Sequence, residues 1–553
     1  MTNKVKVSNL GYPRIGKNRE WKKSLEAYWQ GKINEEQFRS EMAAIQLQHL
    51  KTQQEAGIEL IPVNDFTFYD HVLDTAVMFG IVPPRYTYDG GDIGLDLYFA
   101  MARGNAEATA CEMTKWFNTN YHYIVPEIGT QTPRLTENKP LAAYRFAKSQ
   151  AGIEGKPVLL GLYTFLKLSK GYAAADIAKI AARFVPVYVQ LLQELKQEGV
   201  SWVQIDEPAI VTGISKEELT LLNSIYTEIA GSVPGLNIIL QTYFEAAEPL
   251  EALLELPVQG LGLDFVHDGG ANLASIERLG WPKDKWLGAG IIDGRNIWRS
   301  DLDAKLQLVE KLSVHVPLDR LILQPSCSLL HVPVTVQGEV KQKATVKNAL
   351  AFADEKLAEL SLLGAALADK GEASKAALAA SREAIAAFRA LPERGRKDVA
   401  EQVLALAALP DQRSLPFAER LKVQQEKWQL PLPIMTSLYV QIGFSVLFHL
   451  PLIFWFGLDA LNSQNAPSAI YAGVFASLIA PLVWMLAVQQ LGPNRTSIFM
   501  NLVPVFTAII ASLWLSEQWT IYHTFGGIMI LVGIIMAQKK VKSKKSDLLP
   551  EQN

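Results

Sequence analysis

The segment Gly11–Lys23, GYPRIGKNREWKK, sets Arg14, Lys17, Arg19, Lys22 and Lys23 against a single acid, Glu20. Cations at that density serve either a solvated helix start or a cradle for several carboxylates or phosphates, and Arg19 suits bidentate pairing with an oxyanion. A further cation, Lys115, lies in Glu112–Glu127, EMTKWFNTNYHYIVPE, among Trp116, Phe117, Tyr121 and Tyr123. Aromatic residues so close together usually build a core, yet a lysine beside them also suits an anionic ligand that carries a flat ring. The segments Val63–Val72, Gln204–Ala209, Val258–His267, Asp293–Arg299 and Pro325–His331 place Asp, Glu, His and Cys groups where apolar runs end. They read either as buried ion pairs closing a barrel mouth or as the rim of an active site.

Apolar runs bounded by Gly, Pro or polar turns must position these groups. Gly57–Val63, Lys156–Thr164, Val200–Asp206, Leu236–Phe244, Val258–Val266, Trp286–Asp293 and Asp319–Ser328 read as strands, and most are separated by stretches of helical period such as Ile177–Gly199. Near-continuous apolar strands alternating with helices imply an α/β fold with a parallel sheet covered on both faces, either a closed barrel or a doubly wound sheet. No glycine-rich phosphate loop follows the early strands, and strand count and length favour a (β/α)8 TIM-like barrel over residues 1–340. Residues 341–433, rich in Ala, Leu, Glu and Lys, form a helical extension and linker that ends at Leu430–Pro433, LPLP.

Composition then divides the chain. Lys and Arg number 53 against 56 Asp and Glu in 553 residues, a net charge of -3, so no global basic field draws it to nucleic acid. Cys111 and Cys327 alone cannot build a disulfide framework and fit a reducing compartment. The N-terminal MTNKVKVSNLGYPRIG lacks the apolar core of a secretory signal, which predicts a cytosolic barrel. From Ile434 to Gln538 the charged residues are Asp459, Arg495 and Glu517 only. Apolar stretches at about Met435–Phe456, Ala469–Val488, Ile498–Leu515 and Ile521–Ala537 approach the length needed to cross about 30 Å of hydrocarbon. An all-α membrane domain of about four transmembrane helices over 434–538 follows, and the basic tail 539–553, with Lys539–Lys545 as KKVKSKK, places both ends in the cytoplasm.

The motifs GYPRIG, REWKK, PVNDF, YDHV, EMTKWFNTNYHY, WVQIDEPA, LQTYFE, PVQGLGLDFVH, DGRNIWR and CSLLHVPV occur in this order between about Lys6 and Pro433. They closely resemble the N-terminal half of cobalamin-independent methionine synthase. The resemblance implies two facing barrels with folate in the cleft, and methyl transfer from 5-methyltetrahydropteroyltri-glutamate to homocysteine at a zinc held by the second barrel. It places the folate contacts on Asn18, Arg19, Glu20, Trp21 and Lys115. It also implies zinc ligands, a His, two Cys and a Glu, after LPLP, where this chain runs into its first apolar stretch. No catalytic residue and no metal ligand is therefore assigned here; Cys327 with His331, His267 or Glu207 matches no standard zinc spacing. Ala487–Gln538 resembles the end of an EamA-type drug/metabolite transporter, through Leu491–Arg495, Pro504, Glu517 and a Gly-Gly opening the last span.

Three functions are compatible with this organisation. One is a folate-binding barrel tethered to the lipid bilayer that needs a separate catalytic barrel. Another is a membrane transporter fragment that assembles with other helices and carries the barrel as a cytosolic appendage. The third is a gene fusion at Pro433–Ile434 without joint function.

Overall fold

Lys6 and Val7 open the first strand of a parallel ring that carries every group discussed below. The computed structural model describes residues 4–368, 372–394, 396–409 and 415–428, then scattered positions from 440 to 529 that include two short helices. The chain divides into two compact units, Met1–Asp398 and Val399–Asn553.

In the first unit the order is β1 (Lys6–Val7), α1 (Glu20–Trp29), α2 (Glu35–Glu55), β2 (Pro62–Val63), α3 (His71–Met78) and α4 (Leu95–Arg103). A hairpin of β3 (Met113–Lys115) and β4 (His122–Ile124) precedes α5 (Lys139–Ala151). Then come β5 (Lys156–Leu160), α6 (Leu162–Lys167), α7 (Ile177–Gln197), β6 (Trp202–Asp206), α8 (Lys216–Ser232), β7 (Asn237–Gln241) and α9 (Leu250–Leu254). The unit continues through β8 (Gly260–Asp264), α10 (Ala271–Leu279), β9 (Trp286–Ile292), α11 (Leu302–Ser313), β10 (Leu321–Pro325), α12 (Ala344–Ala349), α13 (Ala353–Ala368) and α14 (Glu372–Arg389).

All strands except the hairpin join one parallel sheet in the order β1-β10-β9-β8-β7-β6-β5-β2. Its edges meet: Ser8 and Leu60 form a parallel bridge, and the Leu60 N–H donates to the Val7 carbonyl at 3.1 Å. The sheet therefore curls back on itself as in a TIM-like barrel, and the α/β expectation agrees. β1 was not legible as a strand, because two residues, one of them lysine, carry no periodicity.

Large polar side chains fill part of the barrel interior, and glycines make room for them. Gln241 and Gln324 exchange amide hydrogen bonds at 3.1 and 2.7 Å. A Cβ at Gly262 would lie 1.6 Å from the Gln241 Oε1, and one at Gly288 would lie 2.7 Å from the Gln324 Oε1. Lys156 is buried among Ser8, Asn9 and Gln204, donating to the Gln204 Oε1 at 2.6 Å. Burial holds its ammonium down, to about 7, while Asp206 and Asp65 favour the charged form.

The second unit contributes Phe417–Trp428 and two apolar helices of 12 residues each, Ala480–Leu491 and Val503–Trp514. The apolar pair overlaps the second and third expected spans; the remainder of the four spans and the basic tail lie largely outside the described residues. Among the described residues no helix is long and apolar enough to cross a membrane.

Overpacking the ring has a measurable cost. Gly262→Val should destabilise the first unit by roughly 1–3 kcal/mol or more, read as a lower midpoint in thermal unfolding followed by tryptophan fluorescence. An unchanged midpoint would show that Gln241 is not confined as described.

Candidate functional site

The C-terminal ends of the strands open onto one mouth, and Arg14 ties three of its segments together. Its half-buried guanidinium donates from Nη1 to the Thr67 Oγ1 and the Tyr121 hydroxyl, both at 2.6 Å. It also lies over the Trp21 ring at 4.6 Å and the Tyr121 ring at 5.2 Å. The Trp21 Nε1 in turn donates to the Thr67 carbonyl at 3.1 Å. The start of α1, the loop after β2 and the hairpin are thus joined through one planar cation, an arrangement a lysine could not reproduce.

The YDHV motif fastens the hairpin from its other side. Asp70 caps α3 by accepting from Val72 and Leu73, and its second oxygen accepts the Ile124 N–H at 3.0 Å. Burial pushes this carboxyl up to about 7 against the pull of those donors. The His71 ring packs edge-on against Trp116 at 4.3 Å.

On this frame the sequence-predicted residues take different places. Asn18 donates from Nδ2 to the Glu20 Oε1 at 3.0 Å, so these two side chains satisfy each other. Arg19 is exposed, adopts φ 63 ahead of α1, and makes no ion pair among the described residues. Its neighbours differ, since Lys17 pairs with Asp354 at 3.3 Å and Lys22 with Glu26 at 3.5 Å. Lys115 is exposed at the end of β3, also without an ion pair among the described residues, and Phe117 beyond it has φ 51. With Asn64 and Phe244, Arg19 and Phe117 are the described non-glycine residues of positive φ. All four follow strands or flank the hairpin on the mouth side, and backbone strain of this kind costs about 1–3 kcal/mol per residue unless the surroundings enforce it.

The acids of the strand ends are internally satisfied. Asp206 accepts from Gln204 at 2.7 Å and from the Tyr243 hydroxyl at 3.1 Å, and burial raises it to about 7. Glu207 accepts the N–H groups of Tyr163 and Thr164 and the Tyr226 hydroxyl, in space left by Gly161, so it serves the start of α6. His267 contacts Asp264 at 2.9 Å and Asp293 at 3.6 Å, and the Asp264 hydrogen bond holds its pKa above the usual range. His71 and His331 are half-buried, and loss of solvent around their rings holds them down, to about 3 and about 4.

Zinc, which the resemblance implies, requires thiolate, imidazole or carboxylate donors converging on one point. Cys111 is buried beside Arg85, whose Nη2 lies 3.2 Å from its sulfur, and burial pushes the thiol up to about 11. Cys327 is buried and its thiol is likewise raised. Among the described residues no group of three His, Cys, Asp or Glu side chains is arranged to hold a metal ion. The described residues do not fit zinc.

Residues 6–317 match the family model described as the cobalamin-independent synthase, N-terminal domain. The chain belongs to this family. A 5-methyltetrahydropteroyltriglutamate--homocysteine methyltransferase of Listeria innocua is 48% identical over 425 residues, covering 77% of this chain and 56% of the relative. The enzyme of the same name from Halalkalibacterium halodurans is 51% identical over 432 residues, covering 78% and 56%. The chain thus spans little more than half the length of the curated relatives it matches. A B12-independent methionine synthase structure from Shewanella superposes with a TM-score of 0.45 at 15% identity, covering 68% of this chain and 99% of that one. Residues 425–538 match the EamA-like transporter family, a family of membrane proteins. This methionine-synthase-family barrel therefore shares its chain with a transporter-family segment.

Charge density flagged Arg14 without revealing its role, because the aromatic rings around it come from segments about a hundred residues apart. Thr67, in the loop after β2, and Lys156, in β5, carried no sequence signal of their own. Arg14→Met should loosen the hairpin, and trypsin should then cleave after Lys115 at least several-fold faster than in the unaltered protein. An unchanged cleavage rate would remove Arg14 from its structural role. For His331, the folded pKa lies below the ordinary 6.5, so the unfolded chain takes up a proton that the folded one refuses. Its contribution to stability is intact above about 6.5 and is lost as pH falls toward 4. His331→Gln should flatten the acid limb of the melting temperature against pH, and an identical limb would contradict the assignment.

Proposed function

We propose that residues 1–340 form a binding platform for 5-methyltetrahydropteroyltri-glutamate, with Asn18, Arg19, Glu20, Trp21 and Lys115 as its contacts. The observation that carries this reading is the pair of exposed cations, Arg19 and Lys115, each without an ion-pair partner among the described residues and each borne on a segment held by Arg14. A triglutamate tail offers several carboxylates, and charge-assisted hydrogen bonds from the guanidinium and ammonium suit them. The Asn18–Glu20 bond favours a positioning role for those two side chains, and Trp21 supplies a ring packed against Arg14.

The reading extends to the rest of the chain. Residues 341–433 act as a helical extension and linker, 434–538 as a four-span membrane domain, and 539–553 as a basic cytoplasmic tail. The EamA match supports the membrane domain; on this reading the molecule is a multi-pass membrane protein with its barrel in the cytoplasm. On this reading methyl transfer to homocysteine requires the zinc-bearing barrel of a separate chain, since the described residues of this one offer no converging donor set.

Titration calorimetry of the purified full chain with the triglutamate folate should give saturable heat. Arg19→Ala and Lys115→Ala should each weaken binding by roughly tenfold or more, the scale of one charge-assisted hydrogen bond. Absence of heat in the unaltered protein, or full affinity in the double variant, would overturn the proposal. With zinc and homocysteine added, methionine should not form; its formation by the chain alone would overturn the need for a partner barrel.

A further inference from the structure

The helical extension treats its apolar residues in two ways. In α13, Leu357, Leu360 and Leu363 are fully buried. After α14 in the chain come α15 (Lys397–Ala407) and α16 (Phe417–Trp428), and there the large apolar residues stay open. Val399, Val403, Leu404 and Leu406 of α15, Leu409 just after it, and Phe417 and Leu421 of α16 are between 42% and 71% exposed.

These residues are not scattered. At about 100° per residue, Val399, Val403 and Leu406 fall within about 60° of one another on α15, and Leu404 widens the arc to about 160°. Lys397, Asp398, Glu401 and Gln402 take the remaining side. On α16 the same spacing puts Phe417 and Leu421 on one face, with Arg420 and Lys422 flanking it and Glu419 opposite. The Arg420 guanidinium lies 5.8 Å from the Phe417 ring, at the border of that face. An apolar stripe edged by long cationic side chains, with its acid turned away, suits a helix lying in a bilayer interface.

Three occupants could cover such faces: a lipid surface, a detached catalytic barrel or a second copy of the chain. Chain length favours the first. Trp428 ends α16 six positions before Ile434, where the nearly uncharged run begins, and six residues reach at most about 22 Å. The EamA match itself starts at residue 425, inside α16. On the membrane-domain reading proposed above, on which this inference rests, α16 cannot leave the neighbourhood of the bilayer. A barrel or a second copy meets these faces only by encounter from solution, whereas a tethered surface is present at high effective concentration throughout.

We propose that α15 and α16 are interfacial helices, with their apolar arcs at the acyl boundary of a phospholipid surface and Arg420 and Lys422 among its phosphate headgroups. Their length agrees, because a helix of 12 residues such as α16 extends about 18 Å and cannot cross about 30 Å of hydrocarbon. The segment between barrel and spans is then docked on lipid instead of hanging as a free tether.

The full chain reconstituted in vesicles of phosphatidylethanolamine and phosphatidylglycerol, carrying one nitroxide at a time, tests this. Cys111 and Cys327 are buried, so an introduced surface cysteine takes the label selectively. Labels at Val403→Cys and Leu421→Cys should have an oxygen-to-nickel-chelate collision ratio at least several-fold higher than labels at Glu401→Cys and Glu419→Cys on the opposite faces. Ile509→Cys, on the apolar helix Val503–Trp514, reports separately on the membrane domain. Lipid exposure at Ile509 with nickel access at Val403 or Leu421 would overturn this inference alone. Shielding of Val403 and Leu421 from both reagents would mean a protein occupant and would overturn it as well. Nickel access at Ile509 would overturn the membrane domain and this inference with it.

Discussion

A single guanidinium, that of Arg14, stands between the Trp21 and Tyr121 rings and donates to Thr67 and Tyr121. Arg14 makes no ion pair among the described residues, so the rings and hydroxyls around it supply its stabilisation. Cation–π contacts contribute about 0.5–2 kcal/mol each, more as they are desolvated. Their larger consequence is geometric, because a flat cation between two rings fixes the orientation of both. Through those rings it fixes where the start of α1 and the hairpin lie, and so where Arg19 and Lys115 are presented.

The polar groups at the mouth thus fall into two kinds. Asp70, Asp206, Glu207 and Asp264 accept from backbone or side-chain donors that the fold itself supplies, and burial at this density calls for such partners. They shape the mouth and leave little capacity to bind anything else. Arg19 and Lys115 are the contrasting kind, exposed and uncommitted, on backbone that is strained at Arg19 and at Phe117. A surface with this division suits the polyanion proposed above, and among the described residues it offers no converging thiolates or imidazoles to a metal.

Much of this was legible in the sequence, and the gaps have physical causes. The strands β5 to β10 announce themselves as apolar runs, because a strand covered on both faces must be apolar throughout. β1 escaped notice at two residues long, and the hairpin escaped because Met113 and Lys115 are exposed while Tyr123 and Ile124 are buried, leaving too few positions to show alternation. Glu207, in Gln204–Ala209, read as either a closing ion pair or part of an active-site rim, and its partners Tyr163 and Thr164 lie in another strand-to-helix turn. Residue type and setting singled out Arg19 and Lys115 as cations that suit an anion, but the assignment of folate contacts to Asn18–Trp21 and Lys115 came from family resemblance; no local pattern distinguishes Arg19 from Lys17 or Lys22, whose ion pairs do so only in three dimensions. The Gln241 amide that fills the space at Gly262 is invisible in the sequence without the ring.

The central claim is that the start of α1 and the hairpin form one anion-binding surface joined at Arg14. Hydrogen exchange of the full chain, measured with and without the triglutamate folate, addresses it most directly. Joint protection of the amides in residues 14–21 and 113–124 is the predicted result. Protection confined to one of these segments, or appearing in neither, would contradict the account.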